Sequence, residues 1–96
     1  MADIEITREH GATKGRYTAK VAGHEAELTY SILSPKAMIA DHTGVPDELR
    51  GQGIADALAK RLATDARADG VKIVALCPFV KAWAARHPEW SDVFQP

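Results

Sequence analysis

The N-terminal third of the chain alternates between apolar and polar positions. Ile4 and Ile6 have polar neighbours, and Ala26, Leu28, Tyr30 and Ile32 recur at every second position, the period of a strand with one buried face. His10–Gly15 reads as a hairpin turn, Arg16–Val21 as a strand, Ala22-Gly23-His24 as a second tight turn and Glu25–Leu33 as a third strand. Ser34-Pro35-Lys36 interrupts the pattern and Ala37–Thr43 resumes it as a fourth strand. Pro46 has no N–H to give a ladder, so it brings that strand to an end. The period then changes. Ile54, Ala55, Leu58, Leu62 and Ala66 form a helical stripe, with Asp56, Lys60, Arg61, Asp65 and Arg67 on the wet side and Gly70 as the C′ stop. Val71–Cys77 has the apolar run of a buried strand, and Pro78 suits the first position of a further helix. Phe79, Val80, Trp83 and Ala84 give that helix its apolar face, His87-Pro88 ends it, and Trp90 and Phe94 fold the tail back. A strand–helix–strand crossover is right-handed and makes the last strand parallel to the fourth. The expected fold is therefore mixed α/β: an antiparallel N-terminal meander, a parallel β-α-β unit and a C-terminal helix. Residues 1–96 are read as a single domain.

Composition narrows the function classes. The chain has 96 residues, enough for one modest core. The net charge is −1 and the lysines and arginines are scattered, which argues against nucleic-acid binding because that needs a basic face. There is no signal-peptide pattern and no apolar run long enough to cross a bilayer. A single cysteine cannot form an internal disulfide and suits a reducing, cytoplasmic setting. Four scattered histidines and one cysteine have no metal-ligand spacing, so no metal is expected.

The most informative segment is Val45-Pro46-Asp47-Glu48-Leu49-Arg50-Gly51-Gln52-Gly53-Ile54-Ala55. It runs from a strand end through a polar turn into the long helix. Helix N-termini carry unpaired N–H groups and a partial positive charge, and therefore attract anions. Gly51 and Gly53 let backbone approach a phosphate closely, and Arg50 adds a fixed cation. The turn is not a P-loop, since no Lys-Ser or Lys-Thr pair follows the second glycine. Nor is it a good dinucleotide fingerprint, because Asp56 stands where that motif needs Gly or Ala. The bland alternative is a tight strand-to-helix turn with no ligand.

Arg50-Gly51-Gln52-Gly53-Ile54-Ala55 resembles the acyl-CoA loop of the GNAT superfamily of N-acetyltransferases: Gln or Arg, two residues, Gly, one residue, Gly or Ala. Three further stretches resemble a branch of small GNAT-like proteins of about this length: Asp41-His42-Thr43-Gly44-Val45-Pro46, Leu76-Cys77-Pro78-Phe79-Val80 and Arg86-His87-Pro88-Glu89-Trp90. The likeness covers the chain from about Asp41 onward. It implies a trimmed GNAT fold, without the extra N-terminal helices and C-terminal strands that form much of the acceptor wall in larger members. It also implies that Gly51, Gln52, Gly53, Ile54 and Ala55, with Arg50, hold the pyrophosphate of acetyl-CoA or coenzyme A. The strand end at Thr43–Val45 would then run beside the pantetheine arm, with the thioester in the gap between the two parallel strands.

Two residues beside that gap could carry chemistry. Cys77 immediately precedes a helix, where the dipole favours thiolate; it is a candidate nucleophile or acid, or a small buried residue that fills the strand end. His42 is a candidate base for an acceptor ammonium, or a histidine hydrogen-bonded for structure by Asp41 or a backbone carbonyl. For Arg86 and His87 the bland reading is preferred, since cations are favourable in the last turn of a helix. His10 and His24 fall in turns and are expected to be solvated, and Phe79, Trp83 and Trp90 are expected in the core. The resemblance implies an acetyl-CoA-dependent N-acetyltransferase acting on an amine. A non-catalytic module that binds acyl-CoA is the alternative from another class.

Overall fold

A computed structural model of the protein describes residues 4–95. Five strands, β1 (Glu5–His10), β2 (Lys14–Val21), β3 (His24–Ser34), β4 (Ala37–Gly44) and β5 (Lys72–Ala75), form one sheet in sequential order. The first four are antiparallel neighbours, and β5 runs parallel to β4 from Ala37↔Lys72 to Ala40↔Ala75. Helix α1 (Ile54–Asp69) makes the crossover and helix α2 (Pro78–Arg86) follows β5. The meander, the parallel unit and the terminal helix expected from the pattern are all present.

The sheet differs from the expectation in three places, each for a local reason. The first hairpin turn is shorter than His10–Gly15, because His10 and Gly15 pair across β1 and β2. His24 belongs to β3 and pairs with Val21, so the second turn is Ala22-Gly23 alone, both with positive φ (51° and 80°), the geometry of a two-residue hairpin whose twist matches its strands. The last strand ends at Ala75 rather than at Cys77, since β4 and β5 part company there. The Cys77 amide donates to the Ala40 carbonyl (2.9 Å), and no ladder continues beyond it.

One face of the sheet packs on α1. Tyr17, Ala19, Ala26, Leu28, Tyr30, Met38, Ala40 and Ile73 are buried there, against Ile54, Leu58, Leu62 and Ala66 of the helix. Each large aliphatic side chain taken from water in this way contributes roughly 1.5–3 kcal/mol. Asp65, expected on the wet side, instead turns towards the sheet. It accepts a hydrogen bond from the Tyr17 hydroxyl (2.7 Å) and one from Arg61 Nε (3.1 Å), with Arg8 at 3.5 Å. Burial, reinforced by the Asp65 bond, holds the Tyr17 phenol far above its ordinary range, so it remains a proton donor. Helix α1 stops at Gly70, in left-handed conformation, whose amide returns to the Ala66 and Arg67 carbonyls.

Helix α2 and the tail close the other end. Val80 and Trp83 are buried, and Trp83 lies against His87, Trp90 and Phe94, with ring centroids at 4.2, 6.5 and 6.1 Å. Phe94 forms an isolated parallel bridge with Ile73, so the tail covers the start of the β5 edge.

Candidate functional site

Strand β4 ends at Gly44, a short 3-10 turn spans Asp47–Leu49 with Leu49 buried as its anchor, and α1 begins at Ile54. The N-cap of α1 is Gly53, left-handed at φ 74°, and no side chain caps the helix. The first intrahelical bond is from the Ala57 amide to the Gly53 carbonyl. The amides at the start of α1 are therefore left without a side-chain cap, a geometry suited to an anion. A Cβ placed on Gly51 or Gly53 would meet nothing within 4 Å. Glycine is needed there for its positive φ and for open access, not to relieve crowding within the chain.

A cleft of about 230 Å³ opens at this helix end, lined by Val45, Arg50, Gly51, Gly53, Ile54 and Ala55, with Asp56, Phe79 and Arg86. All but one of the loop residues singled out from the sequence thus share one cavity. Gln52 is the exception; its Nε2 donates to the Glu48 carbonyl (3.1 Å) and braces the turn from outside. Arg50 is exposed and paired with Asp47 (3.1 Å), an exchangeable surface contact that an anion could displace. Arg86 is favourable as a helix-end cation by itself, yet the fold brings it to the same cleft as Arg50. No spacing in the sequence could show that, because α1 and α2 meet only in three dimensions. Asp56 is the one acid at the cleft, and its Oδ1 is engaged by Trp83 Nε1 (2.7 Å). His87 stacks on Trp83 and lies 3.7 Å from Asp56, which fits a structural role.

Beside this cleft, β4 continues through Asp41–Gly44 while the chain after β5 turns into α2. The splay between them is bridged by side chains: Thr43 Oγ1 lies 3.4 Å from Cys77 Sγ. Burial pushes the Cys77 thiol up, but the Thr43 hydroxyl and the amides of Val80, Phe79 and Thr43 outweigh it and hold the thiol below its ordinary value. Cys77 is only 5% exposed, so burial is the largest single influence on the thiol, and it takes the hydrogen bonds together to outweigh it. Alkylation by iodoacetamide is expected to become fast at a lower pH than for a free cysteine, since the reactive thiolate forms earlier. Thr43→Val should move that profile to higher pH, and an unmoved profile would show that the hydroxyl does not stabilise the thiolate.

His42 and Cys77 are neighbours of the same splay but do not touch. His42 pairs with Thr29, on the face of the sheet away from α1, and its Nε2 lies near Gly44; Thr43 pairs with the buried Leu28 on the α1 face, where it meets Cys77. His42 is exposed, and no carboxylate orients it among the described residues. Asp41 bonds Ser31 instead (2.6 Å). Of the turn histidines, His10 is exposed, with Nδ1 2.6 Å from the Tyr30 hydroxyl, and His24 is partly exposed and lies 3.9 Å from Glu48. A larger cavity, about 710 Å³, lies over the sheet rather than at the loop. No helix among the described residues is long and apolar enough to cross a membrane.

Comparison with known proteins agrees with this architecture. The family model described as GCN5-related N-acetyl-transferase matches residues 16–93. Protein NATD1 of Xenopus tropicalis is 29% identical over 95 residues, which are 95% of this chain and 87% of that protein. The human NATD1 protein is also 29% identical, with 84% of its length covered. The solution structure of a GCN5-like protein from Staphylococcus aureus superposes with a TM-score of 0.71 at 34% identity, covering 99% of this chain and 91% of that one. The crystal structure of a ribosomal-protein-alanine N-acetyltransferase from Brucella melitensis biovar Abortus 2308 gives a TM-score of 0.63 at 26% identity, over 82% of this chain and 62% of that one. The sheet with its parallel β4–β5 pair is thus a short form of the GNAT fold. With a family match over most of its length and a relative of the same size and fold, the chain belongs to the GCN5-related N-acetyltransferases.

Proposed function

We propose that the protein binds acetyl-CoA through the loop Arg50–Ala55 and transfers the acetyl group to a primary amine. One observation carries the reading. The uncapped α1 terminus, two arginines and two positive-φ glycines share one cleft, and that cleft adjoins a parallel-strand splay holding a thiol. The cleft suits a diphosphate: backbone amides and the helix dipole meet its charge, Arg50 and Arg86 supply cations, and the glycine positions leave room. Val45 and the end of β4 would lie beside the pantetheine arm and place the thioester in the splay.

The residues then have separable tasks. His42 takes the proton that an arriving ammonium must lose. The free amine forms a C–N bond at the thioester carbonyl as the C–S bond breaks, and the departing sulfur leaves as thiolate. Cys77 is suited to pass that sulfur a proton, regaining the one that the new amide nitrogen sheds. Alternatively, Cys77 accepts the acetyl group first, releasing CoA thiolate, and then hands the acetyl to the amine as its own C–S bond breaks. Its lowered pKa favours the nucleophilic role, because a thiolate is the better nucleophile and the poorer acid. Calorimetric titration should show micromolar acetyl-CoA binding that ADP alone competes for weakly, and Cys77→Ala should lower turnover more than affinity. A folded protein that binds no acetyl-CoA would overturn the proposal. Tight binding with neither transfer to any amine nor slow thioester hydrolysis would favour the non-catalytic module, which the exposed, unoriented His42 makes the serious rival.

A further inference from the structure

We propose that the groove on the face of the sheet turned away from α1 is the acceptor site, and that it takes a small primary amine bearing a distant carboxylate, with Asp41 receiving the ammonium. This rests on the acyl-transfer reading above. The groove has a volume of about 710 Å³. Among the residues that line it are Glu9, Lys14, Arg16, Thr29, Ser31 and Asp41. Strand alternation puts the first five on the face opposite the buried Tyr17, Leu28 and Tyr30.

The register points the groove at the chemistry. Glu9, Arg16, Thr29 and His42 stand directly opposite one another across β1, β2, β3 and β4. Strands are about 4.8 Å apart, so the row runs roughly 14 Å and ends at His42, on the strand that borders the splay. The position of His42 on this face depends on a bulge at Asp41. Tyr30 pairs with Ala40 and Thr29 with His42, which leaves Asp41 as the extra residue. Regular alternation would send Asp41 and His42 to opposite faces. With the bulge, Asp41 lines the groove and accepts from Ser31 (2.6 Å), while His42 stands on that same face opposite Thr29.

Charge pairing then separates the groove's acids and bases. Glu9 is engaged by Arg16 (3.1 Å). Asp41 is bonded only by a neutral hydroxyl and has no cation within 4.0 Å among the described residues, so its charge is available to an ammonium. Lys14 is likewise without an ion pair among the described residues and lies opposite Ser31, about 10 Å, or two strand spacings, from β4. An amine seated on Asp41 beside His42, with a carboxylate reaching Lys14, satisfies both.

The test compares acetyl transfer to 6-aminohexanoate and to hexylamine by the full chain. The aminoalkanoate should be preferred at least tenfold in kcat/KM. Asp41→Asn, which keeps the Ser31 contact, should raise the amine KM at least tenfold with little change in kcat or acetyl-CoA affinity, and Asp41→Glu should restore part of it. Lys14→Gln should abolish the preference for the aminoalkanoate. In the NMR spectrum, 6-aminohexanoate should shift the amides of Ser31 and Asp41. If amines are acetylated but Asp41→Asn leaves KM unchanged, the groove is not the acceptor site and the transfer reading stands. If acetyl-CoA binds and no amine is acetylated, both fall.

Discussion

Gly53→Glu is expected to lower acetyl-CoA affinity by at least about 100-fold, or about 2.7 kcal/mol, in a protein that still folds. The position is the left-handed N-cap of α1, with open space where a Cβ would be. A side chain there meets no neighbour in the protein but projects into the cleft. Two penalties are then separable. The positive φ (74°) costs a non-glycine residue about 1–2 kcal/mol of strain, felt in stability. The carboxylate places like charge against a phosphate at the helix N-terminus, which costs several kcal/mol in binding. Gly53→Gln carries the same strain and bulk without the charge and should lose only about tenfold. Calorimetry on both variants, with thermal melts as the folding control, isolates the charge. Equal affinity of the Glu variant and the parent would remove the loop from the binding site and take the enzymatic reading with it.

Trp83→Ala is expected to destabilise the protein by about 3–5 kcal/mol, the range for emptying a buried aromatic site. In a chain of this size that lowers Tm on the order of 15–30 °C. Trp83 is 1% exposed and joins α2 to three other parts: the first turn of α1 through Asp56, His87 by stacking, and the tail through Trp90 and Phe94. Trp83→Phe keeps most of the ring and loses only the Nε1 donor. Because Asp56 is 58% exposed and can return to water, that change should cost only about 1 kcal/mol. A drop of a few degrees or less for Trp83→Ala would show that the C-terminal segment is an appendage rather than part of the core.

The secondary elements were legible because each has a local cause. Period-two apolar positions, two Gly-containing turns, a Pro that ends β4 and a Gly that stops α1 act within a few residues of themselves. The structure departs from the local pattern where distant partners decide. β5 stops at Ala75 because β4 diverges from it, and Asp65 faces inwards because Tyr17 waits across the interface. The same division holds at the site. The glycine loop could be singled out as a candidate from contiguous residues, since the turn and the helix N-terminus that it feeds lie within a few positions of each other. Arg86 could not, since it reaches the cleft from another helix.

By itself, then, the sequence determined the order of elements and the glycine turn between β4 and α1, both consequences of short-range backbone chemistry. The handedness of a crossover added the parallel pairing of the last strand. Only the tertiary structure decided which side chains share a face. The bulge at Asp41 brings His42 to the face on which the Asp41 carboxylate stands, while Thr43 and Cys77 meet on the opposite side of the sheet. One extra residue in a strand reverses the alternation beyond it, and the partner strand, not the local sequence, sets where that residue goes.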